Sequence, residues 1–140
     1  MDIDRFLEAQ SGGVYEQALT ELRAGRKQSH WIWFIFPQVK GLGHSHMANY
    51  YAISSHVELE AYIANHTLMD RLITCAQALL DTGFTDPVRV LGTIDALKVR
   101  SSMTLFETGS SSSVFAQVLD RFYGGERDQL TLDIVAGWRQ

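Results

Sequence analysis

Asp95, Lys98 and Ser102 carry the chain's most suggestive spacing. At about 100° per residue on a helix they fall within about 60° of one another. An acid, an amine and a hydroxyl on one side of a helix suit an anionic or polyhydroxylated ligand: Lys98 and Ser102 bind it, while Asp95 orients the lysine or takes a proton. Val99, Met103 and Phe106 border the trio on one side, Ile94, Leu97 and Leu105 on the other. Arg100 and Glu107 fall on the opposite strip, which is expected to be wet. The alternatives are an internal Asp95 to Lys98 ion pair with Ser102 as a polar neighbour, or simple exposure of all three.

A second group precedes two tryptophans: Arg26-Lys27-Gln28-Ser29-His30-Trp31. Cations, a hydroxyl and an imidazole beside an aromatic surface are suited to phosphate contacts next to stacking. His30 at the mouth of an aromatic core can donate to a carbonyl or protonate a leaving group near neutral pH. The plainer reading makes Trp31, Trp33, Phe34 and Phe36 core residues and Arg26-Lys27 a solvated turn. Glu21, near this segment, is a minor acid–base candidate; Asp4/Glu8 and Glu16/Glu21 otherwise read as solvated helix faces.

Other signals are weaker. Gly41-Leu42-Gly43-His44-Ser45-His46 lacks the third glycine of a dinucleotide loop and the Gly-Lys-Ser/Thr ending of a P-loop. His44 and His46 have no further ligand at a metal-binding spacing. No Gly-x-Ser-x-Gly elbow is present. Cys75 is the one cysteine, so an intrachain disulfide is excluded; it shares a helical side with Leu68 and Leu72 and is expected in the core.

These groups must be positioned mainly by helices. Ile3, Phe6 and Leu7, then Tyr15, Ala18, Leu19 and Leu22, recur at three- and four-residue spacing, with a break at Ser11-Gly12-Gly13 and a stop near Gly25. Trp31 to Pro37 fits a buried strand or a buried helical turn, and Pro37 with Gly41 and Gly43 predicts a loop after it. Ser55-His56-Val57-Glu58 reads as a capping box for a helix through Ile63. Thr67 is expected to cap a helix ending at Gly83, Pro87 to open a short one, and Thr93 to cap the helix Ile94 to Thr108. After a Gly109 and serine loop, Phe115, Val118, Leu119 and Phe122 form a face closed by Gly124-Gly125. Leu130 and Ile134 predict a terminal helix, with Trp138 docking back.

Composition bounds the reading. The 140 residues are 46% hydrophobic and 20% charged, which is ordinary for one globular domain and rules out wholesale disorder. A formal net charge of −4 argues against nonspecific nucleic-acid binding. The acidic start Met1-Asp2-Ile3-Asp4-Arg5 is no signal peptide, and Trp31 to Phe36 is too short to cross a bilayer, so a soluble cytoplasmic protein is expected.

The runs Gly25 to Gln38, Gly41-Leu42-Gly43, Tyr51-Ala52-Ile53 and Lys98-Val99-Arg100-Ser101-Ser102-Met103-Thr104-Leu105-Phe106 resemble the bacterial family catalogued as domain of unknown function 1810. The likeness runs from about Phe6 to Thr131, with Ile32 in place of the methionine typical between the two tryptophans. It implies a mainly helical single domain, tips the aromatic segment toward helix, and supplies no activity. The calpastatin label carried by some members finds no support, since nothing in these residues suggests a protease-inhibitor segment. A vaguer likeness, in size, helical pattern and polar-aromatic motifs, is to the YbiA-like N-glycosidase group, and no catalytic residue matches between them.

The reading is a mainly α, compact single domain over residues 1–140 with about seven helices. Its expected site lies where Lys27 to Gln38 meets Asp95 to Ser102. There His30 and Asp95 handle protons, and Lys27, Ser29, Trp31, Gln38, Lys98 and Ser102 bind an anionic or nucleotide-like small molecule, without metal or cofactor. In its boldest form the site hydrolyses an N-glycosidic bond. The rival reading is a noncatalytic protein-interaction module whose polar-aromatic motif is structural.

Overall fold

A computed structural model describes residues 3–138 of the chain; Met1 and Asp2 of the acidic start lie outside them. Among the described residues there are ten helices: α1 (Asp4–Ala9), α2 (Val14–Arg23), α3 (Ile32–Ile35), α4 (His46–Tyr50), α5 (His56–Ala64), α6 (His66–Asp81), α7 (Pro87–Leu91), α8 (Thr93–Gly109), α9 (Val114–Tyr123) and α10 (Gln129–Gly137). The mainly α class holds, but the count exceeds the seven expected. Three of the ten, α3, α4 and α7, have only four or five residues. A single turn carries too few positions for periodicity to reveal it, and α4 went unpredicted.

Local chemistry sets most boundaries. Ser55 accepts the Glu58 amide at 3.1 Å, but Glu58 returns its carboxylate to the Ser54 amide at 2.9 Å, a residue earlier than a standard capping box. Asn65, not Thr67, caps α6: its side-chain oxygen accepts the Leu68 amide at 3.0 Å, and Thr67 lies within the helix. Asp86 caps α7 with Pro87 at its first position. Thr93 does not cap α8 either; it is the first helical residue, and Gly92 makes the preceding bend at φ +83°, a conformation suited to glycine.

The aromatic segment divides as its residues suggest. Ile32 to Ile35 form one turn, and Phe36 leaves the helix at φ −123°, ψ 74°, short of the extended geometry expected before Pro37. The chain then touches a distant extended stretch: Ile53 donates to the Gln38 carbonyl at 2.8 Å and Lys40 to the Ile53 carbonyl at 2.9 Å, forming an isolated parallel bridge.

α6 and α8 form the centre. α6 packs on α2, α5 and α9, and α8 on α5, α7, α9 and α10. Phe6, Tyr62, Phe106 and Phe115 form a chain of rings 5.0–6.0 Å apart through the core. Trp31, Phe34 and Phe36 are buried as expected, as is Cys75, whose thiol is pushed up to about 12 by burial. Trp138 packs against the same core.

Candidate functional site

The turn after α2 is built around Glu21. Gly25, at φ +73°, lets the chain reverse, and the Arg26 amide returns to the Glu21 carbonyl. The Glu21 carboxylate then accepts the amides of Gln28 (2.7 Å) and Ser29 (2.9 Å), the Ser29 hydroxyl (2.7 Å) and the Trp31 indole N–H (3.0 Å). Burial pushes its pKa up, but these donors outweigh burial and hold it at about 2. Ser29 Oγ also accepts from Gln17 at 2.8 Å, so it is fully engaged inside the protein. Trp31 is buried beneath.

Lys27 links this turn to α8. Its amide donates to the Val90 carbonyl, and its ammonium donates to the Ser29 carbonyl, lies 4.8 Å from the Trp31 ring centroid and stands 2.9 Å from Asp95. With its side chain 8% exposed, Lys27 is the buried partner of Asp95. Lys27 thus adds a closer partner to the Asp95–Lys98 pair read from α8 alone. Lys98 stands 3.7 Å from the other Asp95 oxygen, its ammonium 5.4 Å from the Trp33 ring centroid.

Lys98 borders two open clefts. One, about 310 Å³, lies between the loop after α3 (Gln38, Leu42, Gly43), α8 (Ile94, Leu97, Lys98, Arg100, Ser101) and Asp128. The other, about 470 Å³, runs along the start of α8 past Gly92, Thr93 and Asp95. A groove of about 610 Å³ between α6 and α9 is larger, but it contains none of the predicted residues. The structure thus unites Gln38 with Lys98, and Lys27 with Asp95 and Lys98. His30 is exposed and lines none of these three clefts.

The helix stripe facing the first cleft is Ile94, Leu97, Lys98 and Ser101, rotated from the predicted Asp95, Lys98 and Ser102. Ile94 and Leu97 are 70% and 57% exposed, whereas Ser102 and Leu105 are fully buried. Arg100 is not on a wet strip: its side chain is only 27% exposed, and it enters the cleft from the Asp128 end. Among the described residues its guanidinium makes no hydrogen bond. Its nearest carboxylates, Asp128 and Glu126, are 3.7 and 3.9 Å away, and its Nε is buried without a partner.

Five buried side-chain polar atoms have no hydrogen-bond partner among the described residues. Three of them, Trp33 Nε1, Arg100 Nε and Ser102 Oγ, belong to α8 or to the ring beside Lys98, and of these residues only Arg100 lines the cleft. Asp128 is half-satisfied: one oxygen accepts from Ser101 (2.9 Å) and Thr131 (2.5 Å), while the other has only Arg100 at 3.7 Å. Sequence reasoning missed Arg100 and Asp128 as site residues. The wheel turned Arg100 outward, and nothing local to α8 shows that the segment before α10 returns to cover it.

Among the described residues no group of three His, Cys, Asp or Glu side chains could hold a metal ion. His44 and His46 are exposed on the loop and helix after the cleft. Nor is any helix among those residues long and apolar enough to cross a membrane.

No curated protein matches the chain. A solved structure does: the crystal structure of the conserved hypothetical protein Rv1873 from Mycobacterium tuberculosis is similar at a TM-score of 0.93 and 40% identity, with 96% of each chain covered. The family model described as "Protein of unknown function (DUF1810)" matches residues 1–135. Near-complete coverage by sequence, together with the same helical architecture, establishes that the chain belongs to the DUF1810 family.

Proposed function

We propose that the chain binds a small anionic molecule, nucleotide-like or phosphorylated, in the cleft between the Gln38 to Gly43 loop and α8. One observation carries this reading: Lys98 and Arg100, two half-buried cations lining that cleft, make no hydrogen bond among the described residues. Their carboxylate neighbours, Asp95 for Lys98 and Asp128 and Glu126 for Arg100, stand 3.7–3.9 Å away, so both cations keep donors that a ligand's oxygens can take up. Lys27 and Asp95 then act from behind, the ion pair holding the Asp95 carboxylate where it steers the Lys98 ammonium. Gln38 supplies an amide whose side chain makes no hydrogen bond among the described residues.

The partner is a free small molecule in preference to a nucleic acid, in keeping with the net charge of −4, and a cytoplasmic location suits such a ligand. Hydrolysis of an N-glycosidic bond would need proton transfer at the bound ligand. His30 stands outside the cleft and Asp95 is committed to two ammonium groups, so binding is the function the geometry supports best. The rival reading, an interaction module with a structural motif, accounts for Glu21, Ser29 and Lys27 and gives Lys98 and Arg100 only long ion pairs to Asp95, Asp128 and Glu126.

A thermal-shift screen of nucleotides, ADP-ribose and sugar phosphates tests the proposal. A ligand at about 100 times its Kd stabilises the folded state by about 2.7 kcal/mol, a rise of roughly 8 °C for a chain of this size. The rise is expected in the native sequence and is lost in Lys98→Ala. No shift with any compound, or equal shifts in both proteins, overturns the site.

A further inference from the structure

The cleft has three chemically different parts. One part of the lining carries the Lys98 ammonium and the Gln38 amide, whose side chain makes no hydrogen bond among the described residues. The wall is aliphatic: Leu42, Ile94 and Leu97, the last two among the most exposed large apolar side chains of the protein. On the other flank of α8 the Arg100 guanidinium and an Asp128 carboxylate oxygen form an ion pair at 3.7 Å, beyond hydrogen-bond length, and among the described residues neither the guanidinium nor that oxygen makes a hydrogen bond. Side by side they present donors next to an acceptor.

A phosphate alone would use the first part and leave the others empty. An exposed aliphatic wall is suited to the face of a flat ring. A donor beside an acceptor complements a heterocycle edge that carries an N–H next to a carbonyl or ring nitrogen, since each group then meets its opposite. At about 310 Å³ the cleft lies at the small end for ligand pockets, room for one nucleotide unit and not two.

Resting on the proposed anion site, we infer that the ligand is a nucleoside monophosphate. Its phosphate lies at Lys98 and Gln38, its base lies against Leu42, Ile94 and Leu97, and the base edge is read by Arg100 and Asp128. Asp128 and Leu97 thereby select for the base, whereas Lys98 holds the phosphate whatever it carries. A dinucleotide is expected to bind no tighter than the better of its two monophosphate halves.

Calorimetric titration separates these roles. The ligands are the four common ribonucleoside monophosphates, ribose 5-phosphate and a nicotinamide dinucleotide; the proteins are the native chain, Asp128→Asn, Leu97→Ser and Lys98→Ala. At least one monophosphate is expected to bind about tenfold or more tighter than ribose 5-phosphate, as one well-made polar contact allows. Asp128→Asn and Leu97→Ser should each shrink that preference severalfold, and Leu97→Ser should leave ribose 5-phosphate binding unchanged. Leu97 is largely exposed, so its variant tests the idea even if Asp128→Asn, which alters the bonds to Ser101 and Thr131, fails to fold. Ribose 5-phosphate binding as tightly as every nucleotide, or a base preference that survives both variants, overturns the base assignment and leaves the anion site standing. No binding of any ligand, or unchanged binding in Lys98→Ala, overturns both.

Discussion

Glu21 and Arg100 are both charges removed from most of the solvent, and the fold treats them in opposite ways. Glu21 receives four hydrogen bonds from the turn it organises, each donor placed by the backbone between Gln28 and Trp31. Arg100 receives two carboxylates at 3.7 and 3.9 Å and no hydrogen bond among the described residues. Desolvating a charge is costly, and hydrogen bonds offset the cost only when they form. The Glu21 turn is therefore a finished structural joint, whereas the Arg100 end of the cleft retains unmet bonding capacity. The lesson is general: a charged cluster beside a hydrophobic core reads as structure or as site according to how fully its atoms are satisfied.

The largest expected effect falls on the finished side. Lys27→Ala leaves Asp95 partly buried with only the more distant Lys98, and should cost roughly 3–5 kcal/mol in a denaturant titration. A loss below about 1 kcal/mol, the level of an exposed pair, would break the distinction between the two regions.

Acid comes next. The Glu21 carboxyl titrates at about 2 in the folded protein against an ordinary value of 4.5. A depressed folded pKa stabilises the protein above the unfolded value and loses that contribution as pH falls through the folded one. About 3 kcal/mol should thus be present above about pH 4.5 and disappear progressively toward pH 2. Chemical denaturation across this range, compared with Glu21→Gln, measures the contribution. An equal slope in the two proteins would assign the acid sensitivity to other groups.

The smallest effects belong to the unfinished side. Lys98→Ala and Arg100→Met should each change stability by less than about 1 kcal/mol, because neither removes a formed hydrogen bond. The same denaturant titration checks this. A cost for Arg100→Met equal to that of Lys27→Ala would make the far end of the cleft structural too.

Much of the framework was legible before any coordinates. Helical spacing placed α2, α6, α8 and α9, and Gly25 and Gly124 marked ends because few other residues take up their backbone conformation readily. Starts were read less well: Asn65 and Gly92 displaced Thr67 and Thr93 because several nearby residues can cap, and the neighbouring elements choose among them. Lys98 and Gln38, both singled out from the sequence, line one cleft. Arg100 and Asp128, which line the same cleft, were not singled out, and the Asp95–Lys98 pair gained a closer partner in Lys27, 68 positions away in the chain.

The sequence by itself determined that the protein is mainly helical, that the tryptophan and phenylalanine run supplies core, and that α8 carries polar groups among apolar ones. These follow from period, residue type and short-range backbone chemistry, which act within a few positions. Only the tertiary structure decided which polar groups are already satisfied. Lys27 and Asp95 meet because α8 packs beside the turn after α2, and Arg100 is half-covered because the chain returns to it before α10. Whether a charge is finished or open depends on what other elements bring to it, and no local pattern along α8 encodes that.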